Sequence, residues 1–90
     1  MLIQKYIAEF LGTTFFIYVI LATSNPFAIG AALALTILLL TNISGGHVNP
    51  TVSIVMASMG RISTQELLPY ILAQCLGGLF ALELYKRYKM

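Results

Sequence analysis

Ninety residues suffice for one small domain, and 59% of them are hydrophobic while only 9% carry a charge. A water-soluble domain carries about a quarter charged residues, and one this short has too little interior to bury so much apolar side chain, so lipid is the expected solvent. The net charge of +2 is too small for a nucleic-acid binder, and the single cysteine, Cys75, forms no internal disulfide.

The first apolar segment covers about residues 3–22, with Glu9 the only charge between Ile7 and Ala22. A helix that crosses a bilayer needs roughly 20 mostly apolar residues. Lys5 precedes this run as a charge precedes a secretory signal. The run is longer than a signal's apolar core and two more follow it, so a signal peptide is not expected. Thr23-Ser24-Asn25-Pro26 predicts a tight turn, because Asn and Pro favour turns and Pro resists continuing a helix. The second span, about 27–43, carries no charge, and Gly30, Ala31, Ala32 and Ala34 give it a small-residue face that lets helix backbones approach in lipid. The third span, about 64–85, follows Ser63, with Glu66 three residues later, the spacing of a capping box. Pro69 in its second turn predicts a slight bend, and Gly77, Gly78 and Ala81 form another contact face.

Residues 44–59 break the pattern. Ser44 to Asn49 is polar and glycine-rich, and Thr51 to Met59 is apolar but only about 13 Å long as a helix, half a bilayer at most. Asn49 suits an N-cap and Pro50 the first helical position. One reading is a loop that dips into the membrane and leads into a half-helix. Its N-terminus would present free N–H groups and a positive dipole end, which repels cations and offers donors to a neutral solute. The other reading is a surface helix lying among lipid headgroups, and segment length does not separate the two.

Three motifs carry a resemblance. Ser44-Gly45-Gly46-His47-Val48-Asn49-Pro50-Thr51-Val52-Ser53 resembles the first Asn-Pro-Ala loop of the aquaporin and aquaglyceroporin family. Ala8-Glu9-Phe10-Leu11-Gly12-Thr13 is similar to that family's first-helix signature, and Ala73-Gln74-Cys75-Leu76-Gly77-Gly78 to its third-helix pattern. Together they cover nearly the whole chain in the right order. The resemblance implies an all-α membrane protein: three transmembrane helices plus one re-entrant half-helix, one of the family's two inverted repeats. The second Asn-Pro-Ala loop and the filter arginine after it are missing from these residues, so a single copy is not expected to enclose a pore.

The resemblance also assigns expected roles. Asn49 offers its side-chain amide to permeating water and caps the half-helix, while Pro50 stiffens the turn. Thr51 stands where the family usually has Ala, adding bulk and polarity beside the constriction. The carbonyls of Gly45, Gly46, His47 and Val48 form an acceptor ladder along the pore, and His47 is a structural histidine rather than a pH switch. Glu9, an acid inside a span, faces the protein interior and accepts hydrogen bonds from loop N–H groups. Gln74 bonds the same loop or a neighbouring helix. Ile29, 20 residues before Asn49, falls at the second-helix filter position, often aromatic in the family, and favours a wider filter. Arg61 suits pairing with headgroups, Tyr70, Tyr85 and Tyr88 suit the interfaces, and Lys86, Arg87 and Lys89 form a basic tail.

No nucleophile–base pair, metal cluster or phosphate-binding glycine loop is visible, so neither an enzyme nor a cofactor is expected. Three spans put the termini on opposite sides, with Lys5 and Arg61 on one and Lys86, Arg87 and Lys89 on the other. That near balance gives the positive-inside rule little hold. It leads to the expectation of a homo-oligomer in which two antiparallel copies supply the inverted pair. A second channel half from another chain is the rival arrangement. The functional expectation is a passive half-module for water or a small neutral solute such as glycerol. The alternative is a non-conducting truncated or accessory membrane subunit that binds other transmembrane helices through its small-residue faces.

Overall fold

A computed structural model describes residues 2–88 as four helices: α1 (Leu2–Thr23), α2 (Pro26–Leu40), α3 (Pro50–Ser58) and α4 (Thr64–Arg87). Lys89, part of the basic tail read from the sequence, lies outside the described residues. The starts of α2, α3 and α4 have local causes. Asn25 caps α2, its Oδ1 accepting from the N–H groups of Phe27 (2.9 Å) and Ala28 (3.0 Å). Ser63 and Glu66 form both bonds of a capping box at the head of α4. The end of α3 is a Schellman turn. Gly60, at φ 78°, places its N–H on the Ala57 carbonyl (3.1 Å), and the N–H of Arg61 reaches the Met56 carbonyl (2.8 Å).

α1 packs on α4 and α2, and α3 packs on α4. Partners between α1 and α4 ascend together: Lys5 with Glu66, Glu9 with Gln74, Thr14 with Gly77, and the Tyr18 ring with Tyr85. The two helices therefore run parallel, and α2 packs back along α1 without touching α4. α1 and α4 are long and apolar enough to cross a bilayer. Their close approach rests on Gly77, where a Cβ would meet the Phe10 carbonyl oxygen at 2.6 Å. Ala81 is fully buried in the same seam.

One expectation is corrected. α2 stops at Leu40 rather than near 43 and has 15 residues, about 22 Å of helix. The N–H groups of Ser44 and Gly45 both turn back to the Leu40 carbonyl (2.9 and 3.0 Å), because the chain must leave the helix axis to enter the loop. The small-residue face of α2 is mostly left open by the described residues, as a face for a further helix would be. Ala32 is buried, but Ala31 and Ala34 are exposed and nothing stands within 4 Å of a Cβ on Gly30.

Polarity is distributed inside out. Glu9, Thr13, Thr14, Thr36, Ser44, His47, Ser53 and Gln74 are buried, whereas Leu11, Phe27, Leu38 and Leu79 are exposed. Water-soluble folds place their large aliphatic side chains inside. A bundle surrounded by hydrocarbon has no such need, and it must satisfy its polar groups internally.

Candidate functional site

The centre of the polar interior is Glu9, fully buried on α1. Its Oε2 accepts from the Ser44 hydroxyl (2.6 Å) and the His47 N–H (3.1 Å). Its Oε1 accepts from the Val48 N–H (2.8 Å) and Gln74 Nε2 (2.9 Å). A buried carboxylate without a cationic partner is costly unless donors fill its lone pairs; four donors from the loop and α4 do so. Gln74 Nε2 also reaches Ser53 Oγ on α3 (2.8 Å), and Ser53 Oγ meets His47 Nδ1 (2.9 Å). One carboxylate thereby ties α1, α4, the loop and the half-length helix together.

The loop needs such a hold because its backbone is unusual. Gly45 and Gly46 have φ of 93° and 65°, and Val48 has φ of 46°. A β-branched residue in the left-handed region is strained by about 1–3 kcal/mol, and the short bond from its N–H to Glu9 offsets that cost. Glycine at 46 also answers a close approach, since a Cβ there would meet Ile37 Cα at 3.0 Å.

Every N–H from 45 to 48 has an acceptor: Leu40 carbonyl, Ser44 Oγ, and Glu9 twice. Among the described residues, no donor reaches the carbonyls of Gly45, Gly46, His47 or Val48. These four residues and Asn49 border a groove of about 370 Å³ completed by Phe16, Leu33, Ile37, Val52 and Met56. Asn49 is exposed at the head of α3, and its Oδ1 accepts from the Thr51 N–H (2.8 Å). Among the described residues, nothing accepts from its Nδ2. Pro50 is half-buried and borders a second cavity, while Thr51 is exposed and borders neither. Ile29 is half-buried in the first turn of α2, outside the groove lining and one helical turn from Leu33.

The second cavity, about 240 Å³, lies on the other side of the Asn49–Pro50 head, between α1 and α4. Thr13 and Gln74 both line it, and among the described residues Thr13 Oγ1 and Gln74 Oε1 are buried without a hydrogen-bond partner.

Sequence reasoning missed part of the site and misplaced one residue. Tyr70, expected at a membrane interface, is fully buried. Its hydroxyl donates to the Ser44 carbonyl (2.7 Å), and its ring lies 4.9 Å from that of His47. Ser44 and Ser53 are equally central. Their signal was only that they are hydroxyls flanking an otherwise apolar or glycine-rich stretch.

Helices with polar interiors, long apolar exteriors and a loop folded back among them define a membrane-embedded bundle organised around a half-length helix. The chain belongs to the major intrinsic protein family, whose sequence profile matches residues 1–90, and it is accordingly an integral membrane protein. It is 38% identical over 95 residues to aquaporin-8 of Notomys alexis, covering 93% of this chain and 36% of that protein. It is 38% identical over 87 residues to glycerol uptake facilitator protein-like 6 of Lactiplantibacillus plantarum, covering 87% of this chain and 40% of the relative. Against aquaporin Z of Brucella melitensis the identity is 37% over 95 residues, with 89% and 42% covered. The chain thus spans about two fifths of the length of these curated relatives.

Proposed function

We propose that this chain is one half of a passive pore for water or a small neutral solute, with three membrane-crossing helices and a re-entrant segment formed by the loop and α3. The observation that carries the reading is the groove beside Asn49. Four carbonyls without internal donors border the groove, and a free amide Nδ2 stands at its inner end. Such a lining replaces the hydrogen bonds a water or alcohol loses on leaving bulk solvent. It offers no fixed charge to hold an ion. The names of the relatives, water channels and a glycerol facilitator-like protein, support that solute class. Ile29 at the second-helix filter position favours a wider passage than an aromatic ring would.

On this reading the pore wall is completed by a second half, and another copy in antiparallel orientation is one source of it. The second cavity supports this reading. Two buried polar atoms without partners are unfavourable in a bilayer, and a membrane segment presenting a hydrogen-bond donor there satisfies them.

Stopped-flow swelling of proteoliposomes holding only this chain, in osmotic and glycerol gradients, tests the proposal, with Asn49→Asp as the comparison. Fast flux altered by the variant supports a self-assembled pore, and the ratio of water to glycerol flux gives the solute class. Flux no faster than empty liposomes, with the chain inserted, refutes the homomeric pore. A stable complex without flux would then favour a non-conducting subunit.

A further inference from the structure

A third cavity, about 310 Å³, opens at the end of the bundle where α1 begins and α3 ends. It is lined by two cations, Lys5 and Arg61, with Ser44, Gly45, His47 and Tyr70 among the remaining walls, and no carboxylate borders it. Two acids stand behind its walls: Glu9, whose Oε2 is occupied by the Ser44 hydroxyl (2.6 Å) and the His47 N–H (3.1 Å), and, beside Lys5, Glu66. Glu66 Oε2 is already held by Lys5 Nζ (2.9 Å) and its Oε1 by the Ser63 N–H (3.1 Å). That bond positions Lys5 while leaving its remaining ammonium protons free.

Arg61 is the less satisfied cation. Among the described residues its guanidinium makes no ion pair and no hydrogen bond, although the Schellman turn at Gly60 fixes its backbone. A third donor comes from His47. Ser53 Oγ accepts from Gln74 Nε2 (2.8 Å), so the serine proton is free to go to His47 Nδ1 (2.9 Å). The imidazole proton then sits on Nε2. Nε2 has no partner among the described residues and stands beside Gly45.

We propose that this cavity binds a phosphate oxyanion, with Arg61 and Lys5 supplying charge-assisted hydrogen bonds and His47 Nε2 a neutral one. An arginine fork is suited to two phosphate oxygens, and an ammonium adds a point charge. Lys5 and Arg61 lie at one end of the helical bundle, the depth at which phospholipid headgroups meet a membrane protein, and basic cavities between membrane helices take such groups. Gly45, His47 and Met56 line both this cavity and the groove beside Asn49. A bound phosphate therefore sits at the mouth of that groove, in position to restrict entry.

The test is thermal unfolding of the full chain in zwitterionic detergent at constant ionic strength, titrated separately with short-chain phosphatidic acid and with inorganic phosphate. The midpoint rises with ligand that binds the folded state. In Arg61→Gln the apparent affinity falls about tenfold, while Arg87→Gln at the opposite end leaves it unchanged. A rise with inorganic phosphate alone identifies a soluble phosphoryl ligand, and a rise only with phosphatidic acid identifies a lipid headgroup; either supports the site. No rise with either probe, or the same response in Arg61→Gln as in the unaltered chain, overturns it. The readout involves no flux, so the result stands apart from whether the chain conducts.

Discussion

Replacing Glu9 by Gln keeps the shape of the side chain and changes only what its two heads can accept. In the native site four donors converge on two oxygens. An amide has one oxygen, so one pair of donors must face an NH2 group. The less damaging orientation turns the nitrogen toward Ser44 and His47, because the serine hydroxyl can rotate and accept while the His47 N–H cannot. A hydrogen bond to a charged group contributes about 1.5–3 kcal/mol and a neutral one about 1. Two charged bonds are lost at that end, one neutral bond is regained, and the two bonds at the other end are weakened. Removing the charge relieves some desolvation, which trims the loss to about 2–4 kcal/mol, concentrated in the loop. The strain at Val48 is then less well opposed, so the segment opens locally before the helices separate. Amide hydrogen exchange in micelles reads this directly: the His47 and Val48 amides exchange about 30- to 1,000-fold faster in the variant, with amides in the middle of α4 little changed. Equal protection of both amides in Glu9→Gln and in the unaltered chain would refute the view that the carboxylate holds the loop.

Gly77→Ala places a methyl against the Phe10 carbonyl at 2.6 Å and should destabilise the α1–α4 seam by about 1–3 kcal/mol in detergent unfolding. Gly30→Ala meets nothing within 4 Å and should be neutral or stabilising by up to about 1 kcal/mol through helix propensity. Thr13→Val removes a buried hydroxyl that has no partner, so the chain alone should gain about 1 kcal/mol; once a second half is bound, the same change should weaken association, measurable by energy transfer between labelled chains in bilayers. Cys75, exposed at the rim of the second cavity, should react freely with a maleimide in the isolated chain and be protected when that half is present.

The features legible in the sequence were those with local causes. Ser63 and Glu66 announce a helix start because both capping bonds lie within four residues. A lone acid in an apolar run marks Glu9 because lipid tolerates it only with partners inside the protein. The Asn49–Pro50 pair marks the start of α3 because cap and first-turn chemistry are written in adjacent residues. The rest depended wholly or partly on distance along the chain. The expected second span ran through the polar pair Thr41-Asn42 to Ile43, residues that suit turns better than helix interiors; the loop's reach to Glu9, 38 and 39 positions away from His47 and Val48, adds to that stop. Tyr70 looks like an interfacial ring until its hydroxyl meets a carbonyl 26 residues earlier. The left-handed Val48 has no sequence signal at all, since valine is among the residues least suited to that backbone.

The loop divides its backbone unequally, and on the proposed function that division links stability to transport. All four N–H groups from 45 to 48 are bound within the protein, and among the described residues no donor reaches the four carbonyls. Unpaired carbonyls at membrane depth are tolerated only where water or protein meets them. Leu33, Ile37, Val52 and Met56 across the groove offer no side-chain donor, so with the loop re-entrant as proposed the partner is solvent or solute unless a second half supplies donors. On the proposed reading, then, water in the groove is a structural requirement of the loop before it is cargo. The acceptor row leads to one donor site, Asn49 Nδ2, so a water passing along it must turn from donating to accepting at the head of α3. A second half that supplied donors along the groove would satisfy the carbonyls but close the path. One that supplies them only in the cavity lined by Thr13 and Gln74 leaves the path open, and the two unpartnered atoms are found on that side.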